Sequence, residues 1–512
     1  MKLDTILILD FGGQYCHLIG RRIREHNVYS EIVPYDISIE EIRNLEKKFN
    51  IKGLVLSGGP SDIGRGETLM VDKRILESGF PILGLCYGHQ LIAHLMGGKV
   101  KKGKKGEYGI SFMKIRKSSE IFRNLKKSGK VWMSHRDSVY ELPRDFEVLA
   151  CTENCPIAAY RSLKSPIYGL QFHPEVAHTE DGAKILENFI FRVCGSTPNW
   201  KINDFVKESK KEIRKEIDDK TIVGLSGGVD SSVATAIASQ VLGEKLIAVF
   251  VDHGFMREGE PEEINKTFSK FKMNFISSDS RERFLRKLKG VTDPEEKRKI
   301  IGNEFIRVFE EIARKYNAKY LIQGTIYPDR IESGFRKNSE RIKTHHNVGG
   351  LPTKIRFKKI VEPLRNLYKD EVRKVGDEIG LPGSIVNRQP FPGPGLAVRI
   401  IGEVTKERLD ILKKADKIVV EEIEAAKIKN LWQYFAVFTN TRSTGIKGDS
   451  RAYGYTIAIR IVESKEAMTA NFARIPYEIL EKMSTRITNE IPEVTRVVYD
   501  ITHKPPACIE WE

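Results

Sequence analysis

P-I-L-G-L-C-Y-G-H-Q, residues 81–90, begins as a short apolar run, halts at Cys86 between Gly84 and Gly88, and continues as a helical pattern through Met96. The same grammar precedes it. T-I-L-I-L (residues 5–9) ends in D-F-G-G-Q, and I-K-G-L-V-L (residues 51–56) ends in S-G-G-P. Strand-length apolar runs that close on glycine-rich turns and alternate with helical patterns predict a parallel α/β sheet, with function at the carboxyl ends of its strands. The pattern restarts at T-I-V-G-L-S (residues 221–226) and continues through L-I-A-V-F-V-D (246–252) and Y-L-I-Q-G-T (320–325). Two parallel-sheet α/β domains are therefore expected. G-S-T-P-N-W at residues 195–200 marks the first boundary. F-P-G-P-G at residues 391–395 marks the second, because its prolines exclude regular helix and central strand. Beyond it, strand-like residues 455–462 and 495–501 predict a small α+β domain. The expected division is 1–195, 196–390 and 391–512.

The chain has 512 residues and 40% hydrophobic content, room for about two to four separate cores at ordinary domain size. Its longest apolar runs are strand-length, and Asp4 and Asp10 interrupt the N-terminus where a signal peptide would need an unbroken apolar stretch. A soluble, cytoplasmic protein with no membrane partner is expected. Six cysteines in a chain this long do not form a disulfide framework, and the lone C-x3-C of Cys151 and Cys155 reads as buried thiols rather than a metal site. The net charge of +16 raises nucleic acid as a partner. However, the lysines are interleaved with Glu and Asp, as in residues 207–215, which reads as a solvated face on a protein that handles small polyanions.

Cys86, between a buried strand and a helix start, fits a nucleophile elbow: the tight turn needs small neighbours, and the helix N-terminus stabilises a thiolate. His173 leaves another apolar run, residues 168–172, and Glu175 lies two residues on, close enough to hold the imidazole in one orientation. S-G-G-V-D-S-S, residues 226–232, follows a strand and opens a helix. Its backbone N–H groups and the hydroxyls of Ser226, Ser231 and Ser232 are expected to surround a phosphate. No G-x4-G-K-[ST] occurs, which argues against ordinary γ-phosphate transfer.

The Cys86, His173 and Glu175 set resembles the class I, triad-type glutamine amidotransferases. The resemblance implies a γ-glutamyl thioester on the cysteine, an oxyanion hole from the N–H groups of Gly59 and Tyr87, and glutamine held by Ser57, Gln90, His135 and Asp137. Arg136 stands where that family usually has glycine. S-G-G-V-D-S resembles the pyrophosphate loop of ATP pyrophosphatases, which implies ATP at Ser226, Gly227, Gly228, Val229, Asp230, Ser231 and Ser232, Mg2+ at Asp230, and adenosine near Asp252. G-T-I-Y-P-D-R-I-E-S (324–333), H-H-N-V-G-G-L-P (345–352), F-P-G-P-G-L (391–396) and K-P-P-A-C-I-E-W-E (504–512) extend the resemblance over essentially the full length. Together they resemble the glutamine-hydrolysing GMP synthase family.

That resemblance implies that XMP is adenylylated by ATP and that ammonia from glutamine then displaces AMP to give GMP. Asp329 and Glu332 match carboxylates of the family's lid, and Arg365 and Lys369 match two of its lysines, on one helical face if the segment is helical. Gln433, Arg496, Lys504, Ile509 and Glu510 match XMP-binding positions of a C-terminal domain through which the family forms homodimers. Arg330 and Cys508 depart from the family, which has an aliphatic residue and a threonine there. A pyrophosphate-loop enzyme acting on tRNA would have no need of the glutaminase residues or of F-P-G-P-G-L, and a degenerate regulator would be expected to lose Cys86, His173 and Glu175.

Overall fold

Strand Asp4–Asp10 runs parallel to Tyr29–Pro34 on one side and to Asn50–Leu56 on the other, and Ile82–Leu85 and Ile167–Leu170 extend the sheet in the same sense. Its side chains are buried on both faces, as a helix-covered parallel sheet requires. The structure, a computed structural model, describes residues 2–63, 68–334, 357–464 and 469–512. H-H-N-V-G-G-L-P at 345–352 lies outside the described residues. The chain divides into two compact units, the first running to Asp204 and taking in Ile331, the second beginning at Phe205 and continuing to Glu512.

The first unit departs from an all-parallel sheet. Beyond Ile167–Leu170 the order continues through Ala159–Ser162, Phe146–Cys151, Lys99–Ile115 and Ser128–Glu141, every pairing antiparallel. The cause is connectivity: a parallel step needs a crossover of a dozen or more residues, usually helical. Between residues 99 and 170 only a three-residue helical turn, Glu120–Phe122, intervenes, so successive strands return directly on one another.

In the second unit five strands pair in parallel, in the order Asn274–Asp279, Leu246–Asp252, Thr221–Leu225, Tyr320–Ile322, Lys359–Val361. Helix Val229–Leu242 follows the central strand and buries most of its first three turns. The C-terminal region is α+β: Gln433–Lys447 pairs antiparallel with Ser450–Glu463, and Val494–Tyr499 runs parallel to the latter. Helices Lys406–Ala426 and Tyr477–Glu490 belong to the same region. One buried apolar cluster runs from Ile222 and Val249 of the parallel sheet and Phe309 of helix Pro294–Lys315 through Leu396 and Leu412 to Ile457 and Met483. The F-P-G-P-G-L turn thus interrupts secondary structure without interrupting the core. Among the described residues no helix is long and apolar enough to cross a membrane.

Candidate active sites

Cys86 occupies the turn between Ile82–Leu85 and helix Tyr87–Leu95 with φ 52° and ψ −103°, a conformation that a residue with a Cβ rarely adopts. The surroundings over-determine it. Its N–H donates to Leu170 O at 2.8 Å, and the N–H of Gly88 donates to Ser57 O at 3.2 Å. A Cβ at Gly88 would lie 2.3 Å from Leu56 O, so the helix can approach the neighbouring strand this closely only with glycine there. The Cys86 sulfur lies 3.6 Å from Ser134 O. His173 is fixed through its N–H to Trp132 O at 3.0 Å, and its Nδ1 is 2.7 Å from Glu175 Oε1. A Cβ built on Gly58 would stand 3.3 Å from His173 Cε1 and 3.6 Å from Cys86 Cβ, so the 57–59 turn borders both.

Burial alone would lower the His173 pKa. The Glu175 carboxylate, followed by Cys86, outweighs it and holds the imidazole at about 10. His173 is therefore an imidazolium at neutral pH, standing beside Cys86. The stability this charge contributes is fully present below the ordinary imidazole value and is lost as pH rises through about 10.

The four residues matched to glutamine binding are all buried. Ser57 Oγ accepts from Phe11 N at 3.0 Å, tying the turn after Asp4–Asp10 to the 57–59 turn, and donates to Gly58 O at 2.9 Å. Gln90 Nε2 donates to Asp137 O and to Gln171 Oε1 at 2.8 and 3.1 Å. His135 places Nδ1 2.9 Å from Asp137 O and Nε2 3.3 Å from Glu107 Oε2. These side chains are held in place by bonds within the protein. Arg136 is exposed between buried His135 and Asp137, so strand alternation turns it away from them and the departure from glycine leaves those bonds intact.

Glu107 was not singled out in the sequence, since a lone carboxylate in a β-run has no spacing signature. It accepts from Thr152 Oγ1 at 2.9 Å and from Ser111 Oγ at 3.2 Å. Burial opposes its charge, but the bonds from His135 and Thr152 outweigh that and hold the carboxyl below its usual range. Cys155 lies beside this pair, and burial pushes its thiol up to about 12. Cys151 accepts from Arg116 Nε at 3.0 Å. Both thiols are buried.

In the second unit the loop after Thr221–Leu225 is closed by its own hydroxyls. Ser226 Oγ and Ser231 Oγ are 3.0 Å apart, and Ser231 Oγ donates to Gly228 O at 3.1 Å. Asp230 Oδ2 accepts from Lys369 Nζ at 3.3 Å across 139 residues of sequence, while its Oδ1 is buried with no hydrogen-bond partner among the described residues. A cavity of about 140 Å³ borders the loop, lined in part by Gly227, Val229, His253, Phe305, Lys369 and Arg388. Arg388, not anticipated from the sequence, donates to Gly227 O at 2.8 Å and to Glu263 at 2.9 Å, bracing the loop from the side.

Ser232 is fully buried in helix Val229–Leu242, its N–H donates to Gly228 O at 3.1 Å, and its hydroxyl has no hydrogen-bond partner among the described residues. One expectation is corrected. Arg365 shares no helical face with Lys369, because the helix begins at Lys369, where Glu371 accepts from Tyr368 N at 2.8 Å; Arg365 lies in the preceding turn and donates to Glu212 at 2.6 Å. Asp252, at the next strand end, accepts from Gly254 N at 2.9 Å. Asp329 Oδ2 accepts from Ile326 N at 3.2 Å in the first turn of helix Tyr327–Gly334. Glu332 stands in the same helix, its side chain outside the described residues.

Of the positions matched to XMP, Gln433 and Glu510 meet: Gln433 Nε2 lies 3.4 Å from Glu510 Oε1 and donates to Pro390 O at 2.7 Å. Glu510 accepts two bonds, at 2.9 and 2.8 Å, from Arg399, a fully buried guanidinium stacked 3.7 Å over Phe435. Ile509 packs in a small cluster with Phe435 and Val437. Arg496 stands exposed on strand Val494–Tyr499, and the backbone of Lys504 pairs both ways with Ala470. Arg399, like Glu107 and Arg388, was not anticipated from the sequence. Its signal was its place at the end of F-P-G-P-G-L-A-V-R.

Three family models match the chain: Glutamine amidotransferase class-I over residues 7–193, NAD synthase over 201–326, and GMP synthase C terminal domain over 421–511. The second span holds the phosphate loop. Similar relatives include the glutamine-hydrolysing GMP synthases of Caldicellulosiruptor saccharolyticus, 55% identical over 516 residues, Halothermothrix orenii, 53% over 517, and Acetivibrio thermocellus, 52% over 516, each alignment covering 100% of both chains. With the likeness unbroken from end to end, the chain belongs to the glutamine-hydrolysing GMP synthases, the ligases that aminate XMP to GMP at the expense of ATP.

Proposed function

We propose that Cys86, His173 and Glu175 release ammonia from glutamine and that the Ser226–Ser231 loop with Lys369 activates XMP through ATP. The observation that carries the first half is the pairing of a strained cysteine at a helix N-terminus with an imidazolium held by Glu175. The Cys86 sulfur attacks the carboxamide carbon, and the N–H groups of Gly59 and Tyr87 receive the oxyanion; Tyr87 is the first residue of its helix, so its N–H has no intrahelical acceptor. His173 gives its proton to the departing ammonia, then accepts one from the water that frees glutamate.

In the second half, the xanthine O2 attacks the α-phosphorus and pyrophosphate leaves into the loop, held by Ser226, Ser231, the backbone of Gly227, Gly228 and Val229, and Lys369. Asp230 fits a Mg2+ ion, because its Oδ1 is buried and lacks a donor; such an ion neutralises phosphate oxygens when bound. Ammonia then attacks C2 and AMP departs. Asp329 and Glu332 serve the lid, and Asp252 lies by the adenosine. Gln433, Ile509 and Glu510, with Arg399 added, form the XMP site, and Arg496 and Lys504 supply cations for its phosphate. We further propose the domain division 1–195, 196–390 and 391–512, cytoplasmic residence, and a homodimer built on the C-terminal domain, where Ile446, Tyr453, Tyr477 and Ile501 are exposed. The reading is tested by supplying ATP, XMP and glutamine: AMP, pyrophosphate, GMP and glutamate should form in equal amounts. Glutamate released without AMP would overturn it.

Arg330, the cation that departs from the family inside the lid, donates to Asn366 Oδ1 at 2.8 Å and stacks 4.7 Å over Tyr327. Those contacts brace the lid helix, and a part-exposed brace of this kind is worth about 1 kcal/mol. Arg330→Val should therefore lower ammonia-dependent turnover by less than about tenfold. A loss of about a hundredfold or more, roughly 2.7 kcal/mol of barrier, would make Arg330 a catalytic residue.

A further inference from the structure

Lys297, in helix Pro294–Lys315, is completely buried. Its ammonium donates to Ile400 O at 2.7 Å and to the Glu512 side-chain carboxylate, with Ala397 O at 3.5 Å. The same carboxylate accepts from Gly402 N at 3.1 Å, and the neighbouring Arg298 donates to the main-chain oxygen of Glu512. Ala397 and Ile400 bracket Arg399, and Glu512 lies two residues beyond Glu510. One buried ammonium therefore grips both segments that carry the Arg399–Glu510 pair.

A bland reading would make this an ion pair for stability. Buried ion pairs are weak stabilisers, since desolvation offsets their attraction, and a geometric role is the better use of one. Docking of the tail does not rest on Lys297 alone. The buried Arg460 donates to Thr502 O at 2.6 Å and to Cys508 O at 3.2 Å, and lies 3.2 Å from Asp500. Lys297 adds to the Arg399–Glu510 pair a second tie between residues 397–400 and the tail, made from helix Pro294–Lys315.

We propose that Lys297 and Glu512 are positioning residues for XMP: their pairing locks the turn and the tail to one another, so that Arg399 and Glu510 meet the nucleotide in a single geometry. The inference rests on the placement of XMP at Gln433 and Glu510. It is tested with Glu512→Gln, Lys297→Met and the double variant, which leaves no lone buried charge, using ammonium as nitrogen donor and titrating XMP and ATP separately. The KM for XMP should rise about tenfold in Glu512→Gln and in the double variant, since even small misplacement of a binding group is costly, while the KM for ATP stays within about twofold. Equal rises for both nucleotides would reveal general loosening and overturn the proposal, as would an unchanged KM for XMP. If Lys297→Met fails to fold, the other two variants decide. Glu510→Gln is the control. Should it leave the KM for XMP unchanged, the site assignment falls and the proposal with it; should it raise that KM while Glu512→Gln does not, only the positioning role falls.

Discussion

Cys86→Ala should lower glutamine-dependent GMP synthesis by about four orders of magnitude or more, as expected for loss of a covalent nucleophile, and leave synthesis from added ammonium within about twofold of wild type. Alanine keeps the Cβ and so tests the sulfur without changing what the turn must accommodate. The elbow is held by bonds that do not involve the side chain, Cys86 N to Leu170 O and Gly88 N to Ser57 O. The sulfur's contact with Ser134 O, at 3.6 Å, is long and weak. The electrostatic consequence is also modest. His173 loses one of the two groups that hold its proton, but the larger, Glu175, remains at 2.7 Å. Residues 226–232 and the Arg399–Glu510 pair belong to the second compact unit. Rates measured with each nitrogen donor check the prediction, and equal loss of both activities would refute the division of labour between the two units.

Legibility in the sequence followed the range of the forces involved. Strand Leu246–Asp252 matches its apolar run residue for residue, and Cys86 sits where its glycine neighbours predict, because apolar periodicity and turn chemistry act within a few residues. The antiparallel half of the first sheet was not legible. Lys99–Ile115 is rich in lysine and glycine, and its pairing with Ser128–Glu141 is set by connectivity rather than by a local apolar signal. The candidate residues divided the same way. Lys369 could be matched by type, but only the fold brings it 3.3 Å from Asp230. Arg399, Arg388 and Glu107 went unnoticed because what singles them out is burial beside a partner distant in sequence, at Glu510, Gly227 and His135. Arg365 was misread because the helix start depends on the Glu371 bond to Tyr368 N, a capping signal that the lysine match obscured.

Asp230→Asn should abolish synthesis from glutamine and from ammonium alike, by about a thousandfold or roughly 4 kcal/mol of barrier. The substitution preserves shape and changes charge. In the wild-type loop one carboxylate oxygen faces Lys369 and the other is buried with no donor, so the anion is only partly compensated within the protein. A buried carboxylate oxygen left in that condition is costly unless a cation completes it. Asparagine removes the negative charge and presents an amide that cannot ligate a hard cation with both of its ends. Lys369 is then left without its anionic partner at the point where the leaving pyrophosphate is to be held. Ser231→Ala separates the two contributions, because it removes the hydroxyl that bonds Ser226 and Gly228 O while leaving the carboxylate in place; a loss of about tenfold, the order expected for one neutral hydrogen bond, is anticipated there. The decisive readout is pyrophosphate release from ATP and XMP with no nitrogen donor, since adenylylation precedes amination. Release that continues at the wild-type rate in Asp230→Asn would remove the loop from the chemistry. Loss of pyrophosphate release with the Cys86 site still able to form its acyl-enzyme from glutamine would instead fix the defect on the phosphate loop, because Cys86, His173 and the proposed oxyanion donors all lie in the other compact unit.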